Sequence, residues 1–466
     1  ATLPETVSEN ISDDSTVVSE NLAVTPEGDV QNIETGETVT DAQLIGTQSQ
    51  QPDPLAKTDG ESFIPVSASD VKDAVEQPVK QSAEQSSLKG GSTVRLTKFE
   101  SNEYGAHWGT YNGTKAFFDY RNNLFVQQAK GVIDVSSWQG DVDWAKAKAD
   151  GVEGAIIRLG YGWGNYADAK AQRNINECKR LGIPFGIYWY SYAYDANCAR
   201  AEGNDVAAKL RQMGVSPNDL KYPVYYDLEK WTWAGHTPPT NPNVYSGMAD
   251  AWYGALQSAG YKNLGVYSYT SYLQGPLNNS SIYAKTRWVA QYGAQMGYNA
   301  FGTNDRGWQY TSSGHINGIS GSVDMSAFGV KELSQNVPIY RMYNRNSGLH
   351  HYTANYDEAL DLSLKGWLAE GISFFAAREG NPVYRVYNPH DGNHHYTKDS
   401  EEKNYLVSLG WRDEGIGWFV PDEGKANVYR LYNPYSGDHV FTEDLEEYNS
   451  AGSVGWHKEG IAWQSN

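Results

Sequence analysis

Two carboxylates two positions apart, Asp227 and Glu229, end the run Tyr225-Tyr226-Asp227-Leu228-Glu229. On an extended strand residues i and i+2 point to the same side, with α-carbons roughly 6.5–7 Å apart, so both carboxyls would enter one cavity. Carboxylates held that close and partly desolvated repel, and one keeps its proton near neutral pH. The longer side chain, Glu229, is assigned that proton and the reach to deliver it as a general acid. Asp227, nearer the strand, stays ionised and either orients a reacting group or stabilises developing positive charge. A lone Asp-x-Glu is more often simply solvated, so the pair gains meaning only from its company.

That company comes from eight β-rich runs between Gly131 and about Val330, at 132–135, 155–159, 185–190, 223–228, 264–269, 288–291, 308–310 and 323–325. The intervening stretches 143–150, 167–181, 198–213 and 244–259 carry apolar residues at helical spacing. Strand and helix in alternation predict a mostly parallel sheet, and about 200 residues suit a closed β/α barrel, whose reactive groups gather at the carboxyl ends of the strands. Those ends hold Asp134, Arg158, Tyr188 and Tyr190, then Asp227 and Glu229, Tyr267 and Tyr269, Trp288 and Gln291, Gln309 and Tyr310, and Asp324. Acids for proton transfer, flat rings for pyranose faces and amides for hydroxyl or N-acetyl groups predict a sugar site. Glu229, Asp227, Asp134 and Asp324 are the candidate catalytic set, with Arg158, Tyr188, Tyr190, Tyr267, Trp288, Gln291 and Tyr310 as candidate substrate-binding residues. Each has a plainer role: Asp134 and Asp324 precede Ser136 and Ser326 and could cap helices, and Arg158 could neutralise a buried acid. Their conjunction on successive strand ends is what favours chemistry.

The stretches Asp134-Val-Ser-Ser-Trp-Gln-Gly, Ala-Ile-Ile-Arg158, Gly-Ile-Tyr188-Trp-Tyr190, Tyr-Tyr-Asp227-Leu-Glu229, Trp-Gln-Tyr at 308–310 and Val-Asp324 together resemble glycoside hydrolase family 25, the lysozymes sometimes called the Chalaropsis type. The resemblance implies a TIM-like barrel of five β/α units followed by three β-strands. It also implies cleavage of the β-1,4 bond from N-acetylmuramic acid to N-acetylglucosamine in peptidoglycan glycan strands, with no cofactor. By motif, Glu229 resembles the acid/base, Asp227 its partner, and Asp134 and Asp324 the other acids of the site. Whether a nucleophilic carboxylate or the substrate's own N-acetyl group attacks the sugar stays open. Two alternatives compete: a chitinase-like glycosidase, which would need acids where Tyr222 and Tyr225 stand, and a noncatalytic wall-binding surface protein.

The flanks read differently. Residues 1–50 hold ten acids and no Lys or Arg, and residues 51–93 hold seven acids against four Lys, so most of the net charge of −19 precedes residue 94. That distribution excludes a basic nucleic-acid footprint and charge-driven adhesion to anionic lipid. With Phe63 as its only aromatic and no helical or strand period, the segment 1–93 is expected to be a disordered acidic tail. Residues 94–130 alternate aromatic and polar residues around Asn-Gly and Arg-Asn-Asn turns, predicting a β-hairpin extension packed on the barrel, which itself takes residues 131–333. Residues 337–466 contain three repeats: Tyr340-Arg341-Met-Tyr-Asn returns at Tyr384 and Tyr429, and Trp367 at Trp411 and Trp456, at offsets of 44 and 45. They predict a closed β-rich pseudo-threefold domain that binds the cell wall, without metal at its His350-His351 and His394-His395 pairs. Ala1 without Met or an apolar leader is read as the start of a mature exported protein, and no run approaches the about 18 apolar residues of a membrane span. In a secreted, cell-wall-associated chain Cys178 and Cys198 could form a disulfide, or be two unrelated buried thiols.

Overall fold

The computed structural model describes residues 2–76 and 99–466. At its centre eight strands close into a barrel in sequence order: Lys130–Val135, Gly154–Tyr161, Phe185–Tyr190, Leu220–Asp227, Leu264–Tyr269, Thr286–Ala290, Gly307–Gly314 and Val323–Phe328. The first seven are parallel, and the eighth runs antiparallel to both its neighbours. Helices Trp144–Ala149, Ala171–Leu181, Ala196–Gln212, Pro242–Ser258 and Ser280–Lys285 follow the first five strands, and none follows the last three. The last connection, 315–322, is short, and the eighth strand returns antiparallel beside the seventh. Apolar side chains on both strand faces make the fit: Tyr226 points outward and stacks on Trp252 with ring centroids 4.5 Å apart, while Tyr225 points inward against Trp288 at 5.0 Å.

A three-stranded sheet, His107–Tyr111, Thr114–Phe118 and Leu124–Gln127, packs its apolar face on the outside of the seventh strand. Asn112 and Gly113 both hold positive φ at its first turn, the left-handed geometry that suits the twist of a two-residue hairpin.

The expectation of a disordered tail is corrected for residues 2–76. Short strands Thr16–Val17, Leu22–Val24, Val30–Asn32 and Val66–Ser67 form an antiparallel sheet, covered by the helix Ala68–Glu76. Ile11, Val17, Ala23, Ile33, Ala68 and Val71 make its small core. Strands of two or three residues are too brief to show a period of two, and side chains rather than ladders fix the turns, as where Asn32 Oδ1 accepts from the amides of Glu34 and Thr35. The remainder of that expectation, 77–93, lies outside the described residues.

The C-terminal part consists of three strand–strand–helix–strand units, beginning at Asn336–Asn344, Asn381–Tyr387 and Ala426–Tyr432. Ile339, Tyr352 and Phe374 of the first unit, Val383, Tyr396 and Trp418 of the second, and Val428, Phe441 and Trp463 of the third meet in one core. A polar ring surrounds it: Arg385 pairs with Glu358 of the preceding unit at 2.9 Å, Arg430 with Glu402 at 3.2 Å, and Arg341 of the first unit with Glu447 of the last at 3.0 Å. The His pairs join this ring. His350 contacts Asp438 and Glu370 at 2.6 and 3.1 Å, and although burial opposes its charge these carboxylates push its pKa up to about 9. Among the described residues no helix is long and apolar enough to cross a membrane.

Candidate active site

Alternation along the strands decides which side chains reach the barrel mouth. Asp134 near the end of the first strand and Asp324 near the start of the eighth are direct cross-strand neighbours, because the eighth strand runs the other way. Gln309 on the seventh strand ties them together: its Nε2 donates to Asp134 Oδ2 at 2.8 Å and to Asp324 Oδ2 at 3.5 Å. Its Oε1 accepts from the hydroxyls of Tyr267 at 2.8 Å and Tyr292 at 2.7 Å, which fixes the amide. Burial first, and then the charge of Asp324, pushes Asp134 well above the usual carboxylate range. Asp324 rises to about 6, driven by burial and restrained by hydrogen bonds from Ser62 and Asp134.

Asp227 ends the fourth strand between Tyr190 and Tyr267 on its neighbours, and Glu229 lies two residues beyond the strand. Asp227 is 3% exposed, whereas Glu229 is half-buried at the rim. Burial followed by the charge of Glu229 raises Asp227 strongly, and burial also raises Glu229 against a hydrogen bond from Asp227 and the charge of Lys57. The pair therefore keeps a proton near neutral pH. The charge of Lys57 lowers both carboxyls of the pair. Asp227 Oδ1 is buried and has no hydrogen-bond partner among the described residues.

The four expected acids thus share one mouth, walled by Tyr188, Tyr190, Tyr267 and Trp288 as the sequence predicts, and also by Tyr269, Tyr292 and Gln309. Arg158 reaches it from the second strand, 2% exposed, with Nε on Asp168 at 2.7 Å and its outer nitrogens gripping Asp53 at 2.7 and 2.9 Å. One edge of Arg158 neutralises the buried Asp168, and the other, at the mouth, is paired with Asp53. Ser136, and not Asp134, caps the turn that follows the first strand. Tyr222 and Tyr225 pack against Phe328 on the barrel interior.

Two expected binding residues lie elsewhere. Tyr310 follows the inward Gln309 and so faces out, stacking on Phe117 at 4.6 Å while its hydroxyl donates to Glu100 O at 2.7 Å and accepts from Trp108 Nε1 at 3.1 Å. Gln291, an odd number of positions beyond the inward Trp288, accepts from Thr270 Oγ1 and Gly297 N and pins a loop. The disulfide is also corrected, because Cys178 and Cys198 are both free. Cys178 sits in the last turn of Ala171–Leu181 and Cys198 in the first turn of Ala196–Gln212. Both helices run antiparallel to the strands, so the two thiols lie at opposite ends of the helical layer, roughly 10 Å apart along the axis alone and beyond disulfide reach.

Sequence reading missed the largest contributor to the mouth, residues 54–65 of the N-terminal segment, which line it through Leu55, Lys57, Thr58, Glu61, Ser62, Phe63 and their neighbours. No motif marked them. Their only visible signal is an apolar and Pro-containing break, Ser62-Phe63-Ile64-Pro65, in an otherwise polar stretch.

Residues 133–319 match glycosyl hydrolases family 25, and residues 338–466 match a domain of unknown function, DUF5648. The chain is 28% identical over 196 residues to an autolytic lysozyme of Clostridium acetobutylicum, covering 42% of this chain and 55% of the relative. It is 25% identical over 200 residues to lysozyme M1 of Streptomyces globisporus, covering 42% and 66%. Among solved structures it is similar to the modular autolysin LytC from Streptococcus pneumoniae in complex with a synthetic peptidoglycan ligand, at 33% identity and TM-score 0.44, over 47% of this chain and 52% of that one. The chain spans between about half and two thirds of the length of these relatives. The stretch that matches family 25 is the stretch that closes into the barrel.

Proposed function

We propose that the barrel hydrolyses peptidoglycan glycan strands at the β-1,4 bond from N-acetylmuramic acid to N-acetylglucosamine. The observation that carries this reading is the convergence of Asp134, Asp227, Glu229 and Asp324 in one ring-walled mouth, on a barrel that matches family 25. Glu229, at the rim and raised by burial, donates a proton to the leaving oxygen and then takes one from water. Asp227 Oδ1, a buried acceptor without a partner among the described residues, would be satisfied by a substrate N–H. That favours Asp227 as the group that orients the substrate's acetamido arm, which then assists departure at the sugar carbon. Asp134 and Asp324, bridged by Gln309, hold the floor polar without adding two full negative charges, and Tyr190, Tyr269 and Tyr292 offer faces for sugar rings.

Where such glycan lies, outside the cell membrane, is where we place the protein, and the C-terminal units are assigned the task of holding it on the wall. Purified peptidoglycan digested by the protein, then reduced and analysed by mass, tests the bond. Reduced muramic acid ends support the reading, and reduced glucosamine ends overturn it. Removing the units after Val337 is expected to weaken binding to sacculi, and equal binding would remove the anchoring role.

A further inference from the structure

The mouth is not open. The cavity that remains among its acids and rings measures about 50 Å³, against the roughly 300–1,000 Å³ of pockets that hold small ligands. It has room for water and none for a sugar ring. The space is taken by the chain's own N-terminal segment, which crosses from the second and fourth strands to the eighth.

That segment sets polar and charged groups against those of the mouth. Asp53 gives Arg158 a bidentate carboxylate at 2.7 and 2.9 Å. Lys57 lies half-buried, its Nζ donating to Pro54 O at 3.0 Å, and it feels the charges of Glu229, Asp53 and Asp227. Ser62 Oγ donates to Asp324 Oδ2 at 2.5 Å. Outside the mouth the path is fastened again: Tyr192 donates to Pro52 O at 2.9 Å, Trp233 Nε1 to Thr47 O at 2.6 Å, and Lys230 to Thr16 Oγ1 at 2.6 Å. Gly60 lies so close to Trp138 that an added Cβ would stand 2.4 Å from the tryptophan's own, and its φ of +86° disfavours any other residue.

We propose that residues 51–65 are an intramolecular competitive inhibitor, an extended peptide that fills the saccharide site and must leave it before glycan enters. This rests on the glycosidase reading, whose site it regulates. The segment does more than fill space. By bringing a positive charge to the pair it favours the ionised forms of both Asp227 and Glu229, so departure both opens the cleft and eases protonation of the working acid. A bidentate carboxylate on a guanidinium and a hydroxyl on an aspartate form a matched set, which an unrelated loop resting on a rim would not supply.

The test uses the full chain in three forms: the parent, Asp53→Ala/Lys57→Ala/Ser62→Ala, and Gly60→Val, which wedges a branched side chain against Trp138. The probe is purified peptidoglycan, followed by reducing-end release, with hydrogen exchange read in parallel. Occlusion by competition lowers apparent affinity by the open fraction, so both variants are expected to raise kcat/KM about tenfold or more through KM, with kcat within about twofold. Amides of 51–65 are expected to be protected in the parent and to lose protection in both variants, while barrel-strand amides stay protected and report an intact fold. A kcat/KM unchanged in both variants, or parent amides exchanging as freely as in an unstructured peptide, overturns the proposal. Loss of segment protection with no sugar released by any of the three forms supports the occlusion and overturns the glycosidase reading instead.

Discussion

A carboxyl serves as general acid only while it holds a proton, and at Glu229 burial supplies that condition while Lys57 opposes it. Glu229→Gln keeps the shape and removes the proton exchange, so kcat on peptidoglycan should fall by about 10²–10⁴ while sacculus binding is unchanged. Suspension clearing alongside a pull-down measures both, and undiminished clearing removes Glu229 from the chemistry. Asp324 makes a separate test through stability. Its folded pKa of about 6 exceeds the ordinary 3.8, so the folded state binds this proton more tightly than the unfolded chain. The contribution is complete below about pH 4 and is lost as pH rises through about 6. Asp324→Asn cannot ionise, so its Tm should fall less than the parent's between pH 4 and 7, by several degrees, corresponding to a few kcal/mol. Parallel Tm profiles would show that the buried pair titrates no differently on folding. The acids were legible in the sequence because strand ends in a barrel converge whatever lies between them. The positive charge that Lys57 adds was not, because it comes from the N-terminal segment, distant in sequence.

At the scale of the strand, one position separates a group in the mouth from a group behind the wall. Gln309 and Tyr310 are the sharpest case. Gln309→Leu should free Asp134 and lower kcat/KM by about tenfold or more, since two tyrosine hydroxyls and an aspartate lose their shared partner. Tyr310→Phe should leave kcat/KM unchanged yet cost about 1–3 kcal/mol in urea unfolding, because Trp108 Nε1 and Glu100 O both lose the hydroxyl between them. A fall in kcat/KM for Tyr310→Phe would return that ring to the mouth. Runs of branched and aromatic residues located all eight strands, but the reading collected polar residues at strand ends without applying the alternation, which is how Tyr310 and Gln291 entered the site. The helices give a further check. Cys178 is fully buried with its thiol pushed up by burial, whereas Cys198 is half-buried. A thiol reagent should therefore count one cysteine in the native protein and two after unfolding, and a native count of none would contradict the exposure of Cys198.

Over the whole molecule, the three-stranded sheet lies between the barrel and the first C-terminal unit. Lys115 of the three-stranded sheet pairs with Glu153 on the barrel and lies 5.8 Å from the ring of Tyr356 in the first C-terminal unit, joining the two. The repeats were plain in the sequence, because Tyr-Arg-x-Tyr-Asn and Gly-Trp return at fixed offsets. Closure was expected from them too, but the contacts that make it were not legible, because the partner of each arginine lies on a helix of another unit. Closure leaves a signature in energetics. In an open array Arg341 would be an end residue with no unit before it, and losing it would cost little. In the ring it pairs with Glu447 as Arg385 does with Glu358 and Arg430 with Glu402, each arginine also bonding a glutamate of its own unit at 2.6–2.8 Å. These side chains are only 17–24% exposed, so each pair is shielded enough to matter. Arg341→Ala, Arg385→Ala and Arg430→Ala should then destabilise the C-terminal transition by similar amounts, about 1–3 kcal/mol each, with hydrolysis of soluble glycan fragments unchanged. Calorimetry of the three variants decides it, and a loss at Arg341 far smaller than at the other two would mean that the ring does not close in solution.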